Sequence, residues 1–188
     1  AWSQSQPESR EANRYVFEVL LRLNRVAETL EPMKRDVLLS PASDRRDVIW
    51  SIPGSFERLS DTLLAANTVQ KALAGWLKDT TRGPSAWAVI GRMRLAAADR
   101  AAALSAAKAG LELDEKAQHP ALLALSMMQP NFPEAETLVL KHLPSARPEF
   151  HLAYVKALLN GKRDSDAVTQ LKTMSAKHPD FLESWLLL

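Results

Sequence analysis

The sequence predicts an all-α protein, and two observations carry that prediction. Apolar residues recur three and four positions apart in almost every segment, as at Val16, Leu20 and Leu23, which places them on one face of a helix. Prolines and glycines interrupt the chain so that ten to fifteen residues lie between many of them, the length of a three- or four-turn helix. No segment alternates apolar and polar residues long enough to predict a strand.

Composition excludes several classes of function. The 24 basic and 22 acidic side chains give a net charge of +2, too balanced for the one-sided basic surface that phosphate backbones require, so no nucleic-acid partner is predicted. The chain has no cysteine, which excludes disulfides, zinc thiolate sites and cysteine nucleophiles. No apolar run approaches the roughly 18 residues that span a bilayer. No transmembrane segment is therefore predicted in this fragment.

The compartment stays open from the sequence. A cysteine-free chain fits a reducing cytoplasm and an exported or periplasmic protein equally well. The chain begins at Ala1 without a methionine and ends at Leu188 inside an apolar pattern. We therefore expect a piece of a longer protein, with any signal region outside it.

A pattern of large and small residues recurs along the chain. Trp87 is followed by Ile90 and Gly91, and Ala103 comes 16 positions after the tryptophan. This set resembles the signature of tetratricopeptide repeats (TPRs), in which a large residue fills the gap between two helices and small residues let their backbones approach. The same template places large-residue anchors at positions 13, 56, 87, 119, 151 and 185, in steps of 43, 31, 32, 32 and 34. The alanine- and leucine-rich composition is also similar to that of divergent repeats in large bacterial exported TPR proteins.

The resemblance implies an α-solenoid, a right-handed superhelix of antiparallel helix-turn-helix repeats. It predicts one repeat domain over residues 1–188, with units at about 10–40, 53–82, 84–115, 117–145 and 148–180, the start of a further unit at 182–188, and an insertion at about 38–52 that carries an extra helix over Asp44 to Ser51. The hairpin turns are predicted at five places: Asn24, Asn67, Asp99, Pro130 and Gly161. Alanine propensity alone would favour one helix from Arg94 to Leu113, yet the repeat predicts a break at Ala98–Asp99.

The chemistry of known sites is not found in the sequence. Phosphate-loop, dinucleotide-binding and zinc-protease motifs are absent, so no enzyme, cofactor or metal is predicted. His119 and His151 share a repeat position and could in principle bind a metal, although two histidines at helix starts explain them more simply. Four of the five tryptophans, at positions 2, 76, 87 and 185, are predicted to pack in the core. For Trp50, inside the insertion, two roles stay open: covering the repeat stack, or forming a contact surface.

The resemblance implies a protein-binding scaffold whose concave groove is lined by the first helix of each unit. Register places these candidate residues in the groove: Arg14, Glu18, Arg22, Glu57, Asp61, Arg92, Met127, Lys156 and Leu159. The expected partner is a protein or peptide with a complementary order of charges. Two alternatives remain: a structural module that self-associates into homo-oligomers through its open repeat ends, or a helical accessory region of a larger multidomain protein.

Overall fold

The computed structural model describes residues 9–128 and 132–183. Within those residues the chain is helical and contains no strand, which confirms the all-α prediction. The chain forms two compact units that meet at Pro120 and Ala121, and each is described by itself. The predictions for Trp2, Pro130 and Trp185 lie outside the described residues.

Residues 9–120 of the first unit form six helices and the start of a seventh. They are α1 (Arg10–Arg22), α2 (Leu30–Leu39), α3 (Arg45–Ser51), α4 (Thr62–Leu73), α5 (Gly83–Ala96), α6 (Arg100–Leu113) and α7 (Gln118–Met127). Helical 3₁₀ turns at Val26–Thr29, Ile52–Phe56 and Ala74–Trp76 connect some of them. Helix α1 packs on α2, α2 on α4, α4 on α5 and α5 on α6, while α3 packs on α2 and α5.

Three of these helices begin at a side chain that caps their first turn. Ser9, Asp61 and Asp99 precede α1, α4 and α6, and each accepts a hydrogen bond from the backbone N–H three residues later, over 2.9–3.2 Å. Such a cap satisfies a donor that the first helical turn leaves without a partner. The caps therefore fix where α1, α4 and α6 start.

Left-handed residues end three helices in the same way. Asn24, Ala98 and Lys162 have φ angles of 57°, 61° and 57°. At each site the left-handed residue and the next residue donate back to the last helical turn, as in Asp99 N–H to the Arg94 carbonyl at 2.9 Å. This is the Schellman arrangement, in which a left-handed residue satisfies the last carbonyls of a helix. The predicted turns at Asn24 and Asp99 and near Gly161 are confirmed.

The small positions of the repeat template are buried. They lie 16 residues after each anchor, as Ala103 lies after Trp87, and none is more than 4% exposed: Thr29, Ala72, Ala103, Ala135 and Ala167. The core of the first unit is a cluster around Ile49, Val69, Leu73 and Val89, against which Trp76 and Trp87 pack while staying half-buried. Close helix contact requires small residues at such positions, because larger ones would separate the backbones.

The extra short helix predicted over Asp44 to Ser51 is confirmed, whereas one predicted turn is wrong. Helix α3 spans Arg45–Ser51 directly after Asp44. Asn67, however, lies inside α4 and not at a hairpin turn. The reason is the cap at Asp61, which starts this helix six residues after the position that the repeat register assigns. Phe56 is buried as predicted, although it belongs to a 3₁₀ turn and not to a first helix.

The described part of the second unit contains the rest of α7 and three further helices: α8 (Pro133–His142), α9 (Pro148–Asn160) and α10 (Asp164–Lys177). Helices α9 and α10 pack against each other. Glu136 on α8 accepts hydrogen bonds from the Tyr154 hydroxyl at 2.8 Å and from Arg163 at 2.7 Å, and the hydrogen bond from Arg163 lowers the pKa of this carboxyl. One carboxylate thereby ties α8 to α9 and to the turn before α10.

Candidate binding groove

A groove runs along α1 in the first unit. It has a narrow section of about 140 Å³ and a wide section of about 530 Å³, and both sections share Phe17, Glu18 and Ser55. The narrow section is also lined by Arg10, Arg14, Met33, Asp36, Val37, Val48, Ser51 and Ile52. The wide section is also lined by Leu21, Arg22, Asn24, Arg58, Leu59 and Ser60. These residues define the α1 groove.

The local sequence explains the two walls of the wide section. On α1, Phe17 and Leu21 pack toward the core, and Phe17 meets Phe56 edge-on with ring centroids 6.0 Å apart. The opposite wall is the stretch from Ser55 to Ser60, between the 3₁₀ turn and the cap of α4 at Asp61. This stretch runs from the 3₁₀ turn at Ile52–Phe56 to the Asp61 cap, so residues 57–61 are a turn and not part of a helix.

The charges of the groove are mostly unpaired. Arg10 forms an ion pair with Asp36 at 3.0 Å. In contrast, Arg14, Glu18, Arg22 and Arg58 are exposed, and none forms an ion pair or a side-chain hydrogen bond with another described residue. Four arginines against two acids leave the lining with an excess of two positive charges. An incoming segment would therefore meet charged groups that no other described residue holds in an ion pair.

The structure brings some of the predicted groove residues together. Arg14 and Glu18 line the α1 groove, as does Arg22. Glu57 is exposed in the turn before α4, and Asp61 caps that helix. These two acids do not share a helix face, so the prediction that one helix presents both is wrong.

The remaining predicted groove residues lie elsewhere. Arg92 is half-buried, with its guanidinium 4.7 Å from the Trp50 ring centre and donating to the Trp50 carbonyl at 3.3 Å. Met127 is only 1% exposed, so its side chain cannot line an open groove. In the second unit Lys156 is exposed on α9 and Leu159 is half-buried. Arg92 packs on Trp50 and Met127 is buried, so the prediction that they line an open groove is wrong.

Sequence reasoning missed Arg58 and Leu59, which form the far wall of the wide section. Register assigned this stretch to a regular helix starting at Phe56. The signal that indicates otherwise is local: Ser60-Asp61-Thr62 precedes an apolar run, which is typical of a helix start. A helix beginning at Thr62 leaves residues 57–61 as a turn.

The second feature of the first unit is a stack of side chains on Trp50. The rings of Trp50 and His119 are parallel within 4°, with centroids 4.0 Å apart, and Arg92 also packs on Trp50. His119 Nδ1 shares a hydrogen bond of 2.7 Å with Ser85 Oγ. Burial, followed by the positive charge of Arg46, lowers the pKa of His119 to about 4, so this ring is neutral near pH 7. Trp50 therefore packs α3 against Arg92 on α5 and His119 on α7.

Neither histidine site has the geometry of a reactive centre. Ser85 is hydrogen-bonded to His119 but is only 2% exposed, so a substrate could not reach its hydroxyl as a nucleophile. His151 lies within 2.9 Å of Gln170 Oε1 through its Nε2 atom. Across residues 9–128 and 132–183, no three acidic or histidine side chains converge as metal ligands would.

The comparisons with known proteins leave the family open. A scan against models of known families finds no match, and a search of curated protein sequences finds none. The TPR assignment therefore stays a prediction. In the part of the chain that the structure describes, no helix is both long and apolar enough to cross a bilayer.

Proposed function

We propose that this chain is a protein-binding module whose α1 groove receives a segment of a partner protein. The observation that carries this proposal is the line of exposed charges at Arg14, Glu18, Arg22 and Arg58, which form no ion pair with another described residue and lie beside the half-buried Leu21 and Leu59. Such pairing of unmatched charge with accessible apolar surface is typical of contact sites between proteins. The module supplies a rigid helical surface and performs no chemistry.

We also propose that the helices are divergent TPR-like repeats that stack as a right-handed solenoid. The buried small residues at the template positions support this, as does the recurrence of the same left-handed turn after α1, α5 and α9. Repeats of this kind bury their apolar faces on their neighbours and leave a continuous face open for partners. The α1 groove would then occupy one part of that face.

Site-specific photo-crosslinking tests the binding proposal. A photoreactive amino acid replaces Arg22 in the groove, and a matched variant replaces Arg35, an exposed arginine on α2 outside the groove. After irradiation in an extract of the source cells, the position 22 variant should give one dominant adduct that mass spectrometry maps to a single partner segment. Equal adducts from both positions, or none from position 22, would contradict the proposal.

Self-association is the competing proposal, and exposed apolar residues favour it. Leu23 is 59% exposed beside the groove, and Leu63 on α4 is 54% exposed. Sedimentation at several concentrations separates the two proposals. A monomer that still gives the position 22 adduct supports a partner protein, whereas a dimer lost on Leu23→Ser and Leu63→Ser substitution supports self-association.

A further inference from the structure

The charges along α1 alternate in sign within the groove. Arg14, Glu18 and Arg22 are four residues apart, and each step of four residues advances about 6 Å along the helix axis. Arg10 precedes them but is neutralised by Asp36 at 3.0 Å. Arg58 reaches the wide section from the opposite wall, which strengthens the positive charge around Arg22. The unpaired order along α1 is therefore positive, negative, positive.

Apolar residues line both sections, and the wide section has the larger volume. Phe17, Leu21 and Leu59 line it, and its volume of about 530 Å³ lies in the range of roughly 300–1,000 Å³ that holds small ligands. The section therefore has room for more than one apolar side chain. A matching partner must present charged and apolar groups on the same side.

We infer that the occupant of the α1 groove is an amphipathic helix with acid, base and acid at positions i, i+4 and i+8. This inference rests on the proposed function and specifies its partner. A helix lying beside α1 repeats its side chains at the same 6 Å interval, so its acids meet Arg14 and Arg22 and its base meets Glu18. The order of charges reads the same in both directions, so the charges alone match either orientation of the partner helix.

An extended segment fits the groove less well. In a strand, the charged residues on one side are separated by apolar residues that point to the other side, away from Phe17, Leu21 and Leu59. In a helix, residues i+3 and i+7 stand beside i+4 and i+8 on the same face. Leucines at i+3 and i+7 can then enter the wide section while the three charges pair. The combination of alternating charge and one-sided apolar lining thus selects a helix.

The test is a selection from displayed helical peptides. The library fixes leucine at i+3 and i+7 and allows glutamate or lysine at i, i+4 and i+8, and the bait is the complete chain. We expect enrichment of the acid–base–acid peptide over the base–acid–base peptide by about tenfold or more, because like charges placed opposite each other oppose binding. The preference should weaken as salt is added.

A charge-swapped bait makes the test specific. The triple variant Arg14→Glu, Glu18→Lys and Arg22→Glu should reverse the preference to base–acid–base, while Arg35→Glu should leave it unchanged. All three groove positions are exposed, so circular dichroism and melting should show native folding of the swapped chain.

The outcomes separate the two proposals. Enrichment without a charge preference, or a preference that the swap does not reverse, would overturn the helix inference while leaving binding in the groove intact. Failure of every displayed peptide to bind, together with no adduct from position 22, would overturn the proposed function as well.

Discussion

Replacing Trp50 with alanine tests how much the packing of α3 on Arg92 and His119 stabilises the fold. The substitution removes the parallel stack on His119, at 4.0 Å between ring centroids, and the packing of Arg92, at 4.7 Å from the ring centre. It leaves the hydrogen bond from Arg92 to the backbone carbonyl of residue 50 in place. The loss of stability therefore measures the contribution of the Trp50 side chain alone.

The expected cost follows from these contacts. The aromatic stack contributes about 1 kcal/mol and the cation–π contact a further ~1 kcal/mol. Uncovering the half-buried indole adds about 1–2 kcal/mol, since a fully buried aromatic costs roughly 3–5 kcal/mol on truncation. We expect Trp50→Ala to lower the free energy of unfolding by about 3 kcal/mol.

Urea unfolding followed by far-ultraviolet circular dichroism measures this loss. A double-mutant cycle with His119→Ala should give a coupling of about 1 kcal/mol, because the two rings are in direct contact. Tyr15→Ala provides the matched control, since Tyr15 is 62% exposed and its loss should change stability by less than about 0.5 kcal/mol. A Trp50→Ala cost no larger than that of the control, or a coupling near zero, would refute the packing described for the insertion.

Three further predictions concern the first unit. Ala98→Gly should raise the free energy of unfolding, measured by urea titration, by about 1 kcal/mol, because Ala98 has a φ of 61° that glycine adopts without strain; unchanged stability would count against that turn. Gly110→Ala should lower stability by about 1–3 kcal/mol, because the new Cβ would lie 2.6 Å from the Pro120 ring; a stabilised variant would contradict this contact. The folded state favours the neutral form of His119, so the contribution of this ring to stability is complete above pH 6.5 and declines as the pH falls towards 4. The melting temperature of His119→Gln should therefore fall less over that range than that of the parent protein. Equal declines in both proteins would contradict this prediction.

Much of the helical organisation could be predicted because it depends on local sequence. The extra helix at Arg45–Ser51 is expected from the long step of 43 residues between the first two anchors, and the end of α5 near Ala98 follows from the repeat pattern in spite of a strongly helical alanine content. The buried Ala103 and Ala167 could be predicted because helix contact permits only small side chains there. These features need no knowledge of distant contacts.

The repeat register was wrong at residues 53–82, where the Asp61 cap sets a different helix start. Asn67 tolerates a left-handed turn, so the register favoured a hairpin there. The Asp61 side chain instead starts a helix that buries Ala65, Ala66 and Val69, and Asn67 falls in its middle. Burial of that apolar face outweighs the turn preference of one asparagine.

Among the groove residues, only those on α1 could be predicted from the sequence. Arg14 and Glu18 follow from their spacing on α1, whereas Arg58 and Leu59 depend on a turn whose course tertiary packing decides. Arg92 could not be predicted to be engaged, because its partner Trp50 lies 42 residues earlier in an insertion that the repeat does not describe. Sequence patterns do not predict which distant segments of the chain come into contact.

Hydrogen–deuterium exchange with the selected acid–base–acid peptide tests the central claim most directly. Our account predicts slower exchange in peptides covering α1 and residues 52–60 when the displayed helix is bound, with no change in α9 and α10. Protection confined to the helices of the second unit, with α1 exchanging as in the free chain, would contradict the assignment of binding to the α1 groove.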